Sequence, residues 1–225
     1  MAANEDDVVV DGVEYKGYRD FYLATLERMY AENILVGARR VGSSTWSTSS
    51  VISGEQLSSG YDVSLVKPYN LNSKSNDVED WKAYVDQALK VNGWALFCVH
   101  RIIPDDETSN AIHIKQSQAR ELFSYTSSDD IWVATYEQAC MYYTEWSTAE
   151  ASVSYADGKI TLSLTDDENN ELYDEPLTVK VEIPYSWDGC ELNGETLKIM
   201  KDVYGVRYVY VDLVPDSSSI EIISK

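Results

Sequence analysis

Proton chemistry in this chain would centre on His100. The stretch Gly93-Trp94-Ala95-Leu96-Phe97-Cys98-Val99-His100 is an apolar run that ends in a histidine. A strand buried on both faces reads as such a run. In parallel α/β sheets the reactive groups gather where strands end. An imidazole at that place can give or take a proton near neutral pH. The structural alternative is a histidine that caps the strand and bonds to a loop. The chain has 2 histidines, and the other, His113, is expected to cap or pack near the following helix. Two tryptophans are candidates for stacking on a sugar ring. Trp46 lies in a segment rich in Ser, Thr and Gly, and Trp187 lies in Tyr185-Ser186-Trp187-Asp188-Gly189. Loop aromatics serve recognition; the alternative for both is a place in the core.

The elements that would hold these residues follow from periodicity. Tyr22, Leu26, Met29 and Tyr30 are spaced for a helix over residues 18–33, and short strands are expected at 35–38 and 63–66. Residues 42–60 form a long polar loop, and loops of that length are often functional. Trp81, Tyr84, Val85, Ala88 and Leu89 share one helical face, with Gly93 as a stop signal. A loop at Pro104-Asp105-Asp106-Glu107 leads to a helix with Ala119, Leu122 and Phe123. A short buried strand, Ile131-Trp132-Val133-Ala134, precedes a helix with Tyr136, Ala139, Cys140 and Tyr143. Alternating strands and helices predict parallel β/α architecture over 1–147.

The pattern changes at 148. Alternating apolar residues flank Asp157-Gly158 and Asn193-Gly194, which are hairpin turn pairs. Val179, Val181 and Ile183, then Val209, Val211 and Leu213, and finally Ile220 and Ile222 alternate as strand faces. Residues 148–225 are therefore expected to form a small all-β, immunoglobulin-like sandwich.

With 225 residues and a formal net charge of -20, the chain would repel nucleic acid and anionic membranes. Residues 148–225 carry 16 acids and 6 bases, half of the net charge, as a solubilising surface would. The three cysteines, Cys98, Cys140 and Cys190, have neither zinc-site nor disulfide-framework spacing. The opening Met-Ala-Ala-Asn-Glu-Asp-Asp lacks the pattern of a signal peptide, and no apolar run reaches membrane-spanning length. No Gly-x-Ser-x-Gly nucleophile elbow and no phosphate-binding glycine loop occurs.

The strand ending in His100, the polar loop and helix after it, and the Ile131-Trp132-Val133-Ala134-Thr135-Tyr136-Glu137-Gln138-Ala139 segment resemble the C-terminal half of a polysaccharide deacetylase domain. This is the nodulation-protein-type carbohydrate esterase family four. Val36-Gly37-Ala38-Arg39-Arg40 resembles the strand after that family's middle motif, and several members carry a β-sandwich behind the catalytic domain. The resemblance implies a partial or distorted (β/α) barrel and an extracellular or cell-surface setting. It also implies metal-dependent removal of acetyl groups from acetylated or acetamido sugars, a hydrolysis of carbon–nitrogen, non-peptide bonds. It would make His100 the acid. Asp77-Val78-Glu79-Asp80-Trp81 resembles the family's aspartate-tryptophan motif, which would make Asp80 the group that orients His100. Asp77 and Asp80 also suit a helix N-terminus without further function.

The family's cofactor is a divalent metal, zinc or cobalt, held by one aspartate and two histidines. Its paired aspartates and closely spaced histidines are missing here, so no metal ligands can be named. Tyr15-Lys16-Gly17-Tyr18 is a remnant at best of its Arg-Pro-Tyr-Gly-like motif. The expectation is a truncated or degenerate deacetylase, inactive alone, whose open half barrel would self-associate or lack stability. The other expectation is a carbohydrate-binding or interaction module without activity.

Overall fold

The computed structural model describes residues 8–10, 12–15, 23–26, 28–29, 31–32, 35–39, 50–63, 65–127 and 131–225. They fall into two compact units, Met1–Glu137 and Gln138–Lys225.

In the first unit the described residues within 23–31 are helical. A two-stranded antiparallel ribbon joins β1 (Val8–Val10) and β2 (Val13–Tyr15). Three separate parallel pairs follow. They are β3 (Ala38–Arg39) with β4 (Leu65–Val66), β5 (Tyr69–Asn70) with β6 (Phe97–Cys98), and β7 (Ile102–Ile103) with β8 (Ile114–Lys115). Among the described residues these pairs do not join into a larger sheet, and no barrel closes. Helix α1 (Gly54–Ser58) connects β3 to β4, α2 (Val78–Lys90) connects β5 to β6, and α3 (Gln116–Tyr125) follows β8.

Helix α2 shows why this sequence folds as it does. The Asp77 carboxylate accepts from the N–H groups of Glu79 and Asp80, and the Asp80 carboxylate accepts from the Asp77 N–H. This reciprocal box satisfies donors that the first turn leaves open. Val78, Trp81, Tyr84, Val85 and Ala88 then bury one face, while Leu89, expected on that face, is exposed. The Trp81 indole N–H donates to Asn76 Oδ1, and the Asn76 amide donates to the Asn70 carbonyl at 3.3 Å. Tyr84 packs edge-on against both Tyr69 and Phe97, with ring centroids 5.3 and 5.2 Å away. Lys82 bonds Glu79 and, across to α3, Glu121 at 2.6 Å.

The helix ends differently from the sequence reading. Asn92, at φ 47°, takes the left-handed position. Gly93 has another reason to be glycine. The 52–54 backbone passes so close that a Cβ on Gly93 would stand 2.1 Å from the Ile52 carbonyl oxygen. Ile52 and Trp94 pair there as an isolated antiparallel bridge.

Two expected strands are corrected. The run from Trp94 to Val99 yields a strand of only Phe97–Cys98, half-buried rather than buried on both faces. Among the described residues its one strand neighbour is β5, and no larger sheet covers it. Residues 131–134 are irregular, with Trp132 and Val133 exposed. Phe123 of α3 also points to solvent.

The second unit opens with helix α4 (Tyr136–Thr148), which begins two residues before the boundary between units. Two antiparallel sheets follow. One has the order β13 (Glu195–Thr196), β12 (Cys190–Leu192), β16 (Ile220–Ser224), β10 (Lys159–Thr165), β9 (Glu150–Ala156). The other has β11 (Leu177–Glu182), β15 (Arg207–Leu213), β14 (Met200–Lys201). Ile160, Leu162, Leu164 and Ile222 of the first sheet share one core with Leu177, Val181, Val209, Val211 and Leu213 of the second. Asp157 and Gly158, at φ 50° and 74°, turn β9 into β10, and Asn193 and Gly194 turn β12 into β13 at φ 52° and 85°. Positive φ at both turn residues matches the twist of the strands. Strand β9 is an edge strand, exposed along its whole length.

Candidate functional site

The residues singled out from the sequence do not come together. His100 is exposed, and its Nε2 lies 3.9 Å from the Cys98 sulfur, a weak contact. The Asp80 carboxylate is engaged in the α2 N-terminal box. Among the described residues no hydrogen bond or ion pair joins Asp80 to His100. His113 is buried, with Nδ1 2.8 Å from the Ala111 carbonyl oxygen, and its own carbonyl accepts from Ser73. Trp46 lies outside the described residues.

Trp187 is the clearest departure from expectation. It is 3 % exposed and belongs to the core of the second unit. Its main-chain N–H donates to the Pro184 carbonyl at 3.1 Å. That turn carries the indole inward, 6.0 Å from the Tyr155 ring. The residue presented outward is Tyr185, 70 % exposed.

Tyr185 belongs to a group of tyrosines that the sequence reading missed. Strand β15 alternates, with Val209, Val211 and Leu213 in the core and Tyr208, Tyr210 and Asp212 on the other face. The Tyr208 and Tyr210 rings meet edge to face with centroids 5.3 Å apart. The Lys180 ammonium sits 4.3 Å above the Tyr208 ring and 4.0 Å from Asp202. Asp202 in turn organises the β14–β15 loop. Its carboxylate accepts from the N–H groups of Tyr204 and Val206, both at 2.9 Å, and Gly205 takes φ 84°. These bonds hold Tyr204, 89 % exposed, out in solvent beside Val203. The Tyr185 hydroxyl and the Arg207 guanidinium brace the other side, donating to the carbonyls of Gly205 and Tyr185 at 2.7 and 3.1 Å.

The result is an aromatic surface on a loop fixed by its own backbone bonds. By register Lys180 and Glu182 share the face of Tyr210 and Tyr208, and Asp202 stands beside Lys180, so the surface carries both signs of charge within the strongly acidic chain. Such a surface can stack on the C–H face of a pyranose ring, because aromatic faces carry negative charge density. Hydroxyl and charged groups at its rim can meet sugar hydroxyls. A signal existed in the sequence: Asp202-Val203-Tyr204-Gly205 is a turn, followed by tyrosines alternating with valines.

Among the described residues no three histidine, cysteine or acidic side chains gather as a metal-ligand group. The zinc or cobalt of the deacetylase resemblance therefore has no described residues to hold it. No helix of the described residues is long and apolar enough to cross a membrane.

Comparison with known proteins corrects the resemblance itself. No family model, that of the deacetylases included, and no solved structure matches the chain. A gellan lyase from Bacillus sp. is 33% identical over 171 residues, which cover 68% of this chain and 7% of the relative. The chain thus spans a small fraction of that protein's length. The likeness runs to a polysaccharide lyase and away from a deacetylase, so the acetyl-removing function expected from the strand contexts is withdrawn. Strand order and a terminal histidine are features that unrelated α/β proteins share, which is why they misled.

Proposed function

We propose that this chain is a non-catalytic, glycan-binding part of a polysaccharide-acting protein that works outside the cell. The observation that carries the reading is the braced cluster of Tyr185, Tyr204, Tyr208 and Tyr210 on the second unit. The likeness to a gellan lyase supports a polysaccharide as the ligand. Three exposed tyrosines and a fixed loop suit an extended chain of sugar rings rather than a small molecule in a closed cavity. Pre-ordering the loop lowers the entropy cost of binding.

The test is affinity electrophoresis in gels cast with gellan and with other polysaccharides. The wild-type chain should be retarded by at least one of them. Tyr204→Ala and Tyr210→Ala should each weaken retardation about tenfold, the equivalent of ~1.4 kcal/mol for one lost aromatic contact. Unchanged mobility of the folded wild-type chain in every polysaccharide would overturn the proposal.

A further inference from the structure

The second unit holds a buried carboxylate that the glycan surface does not use. Glu145, near the end of α4, is 1 % exposed. One carboxylate oxygen, Oε2, accepts from the Glu175 N–H at 3.0 Å. The other, Oε1, is buried with no donor. Asp166 repeats the pattern. Its Oδ1 accepts from the Glu168 N–H at 2.9 Å, and its Oδ2 is buried with no donor. Asp166, Asp174 and Glu175 all lie close enough to Glu145 for their negative charges to act on it. None of the ion pairs among the described residues brings a lysine or arginine to these acids.

A buried carboxylate needs a proton, a cationic side chain or a metal ion. Among the described residues no cationic side chain pairs with these acids, and two orphaned oxygens remain. The 166–175 segment, Asp-Asp-Glu-Asn-Asn-Glu-Leu-Tyr-Asp-Glu, is dense in oxygen donors. It is also folded into tight local turns, with the N–H of Glu171 bonded to Asn169 Oδ1 and those of Leu172 and Tyr173 to the Asn169 carbonyl. Two side chains fall short of a zinc-type ligand set. A hard cation instead takes about 6–8 oxygens and accepts main-chain carbonyls and water among them.

We propose that Glu145 and Asp166 supply the buried carboxylates of a divalent-cation site of the calcium type, completed by oxygens of the 166–175 loop and by water. The ion would tie α4 to the loop that leads into β11. It would also set positive charge against both orphaned oxygens.

The full chain, stripped with chelator, is melted with and without millimolar calcium chloride at matched ionic strength, beside magnesium. Calcium should raise the melting temperature of the wild type by about 4 °C or more through binding to the folded state. Glu145→Gln removes the charge at nearly constant shape and should abolish the shift. Asp166→Asn should do the same, and it serves if the first variant does not fold. Calorimetric titration of calcium into the wild type should show one saturable site. No calcium shift in the wild type, an equal shift with magnesium, or a shift retained in the folded variants would overturn the proposal.

Discussion

The Tyr185 hydroxyl donates a 2.7 Å hydrogen bond to the carbonyl oxygen of Gly205. It links two loops that meet at one end of the second unit, and it fixes the tyrosine ring beside the loop that presents Tyr204. Tyr185→Phe keeps the ring and loses the tether. Glycan affinity should fall about fivefold, in line with ~1 kcal/mol for one net hydrogen bond. Titration calorimetry with a bound polysaccharide checks this, and undiminished affinity would show that the tether has no part in binding.

Trp187 is core, so its removal is a stability experiment. Trp187→Ala should cost about 3–5 kcal/mol through lost burial and the cavity left behind. Chemical denaturation followed by circular dichroism reads the change directly. A full-stability variant that no longer binds glycan would restore the ligand role read from the sequence.

Gly93 is held by close approach rather than by its own backbone angle. In Gly93→Ala the added methyl would meet the Ile52 carbonyl and, at 2.9 Å, the Ser53 Cα, both main-chain atoms. Relief requires the bridge between Ile52 and Trp94 to separate. The expected loss is ~3 kcal/mol or more, seen as an earlier unfolding transition. An unshifted midpoint would mean that the two segments do not pack this way.

Burial pushes the Glu145 carboxyl from an ordinary 4.5 up to about 7, and Asp166, Asp174 and Glu175 push in the same direction against the Glu175 N–H bond. The folded state therefore keeps a proton that the unfolded chain has released. In chelator, this group's contribution is full below 4.5 and is lost as pH rises towards about 7. The loss amounts to ~3 kcal/mol at most. Urea midpoints measured on both sides of that window should fall with rising pH in the wild type and change less in Glu145→Gln. Parallel pH profiles would assign the slope to other groups.

What could be read from the sequence was local. Asp157-Gly158 and Asn193-Gly194 demand positive φ, and both hairpins form there. Helix α2 is written twice over, in the Asp77–Asp80 box and in the stripe from Val78 to Ala88. What failed depended on distant partners. The run before His100 is apolar enough for a buried strand, but burial on both faces needs neighbours that sequence periodicity cannot supply. Trp187 and Tyr185 sit two positions apart in one loop. Only the turn at Pro184 decides which of them faces the core. Tyr208 and Tyr210 alternate visibly with Val209 and Val211, so the outward face of β15 was legible, and the aromatic site could have been placed there.

Strand β9 has a consequence for how copies of this molecule behave towards one another. Val153 and Tyr155 pair with Leu162 and Ile160 of β10, yet lie open to solvent on a strand that, among the described residues, is paired on one flank only. An edge of this kind is a template for sheet-to-sheet growth. A net charge of -20 opposes it, and that repulsion reaches about 30 Å at 0.01 M salt but only about 3 Å at 1 M. Colloidal behaviour thus becomes a property of the medium. Dilute buffer keeps the molecules apart, and brine lets their flanks meet.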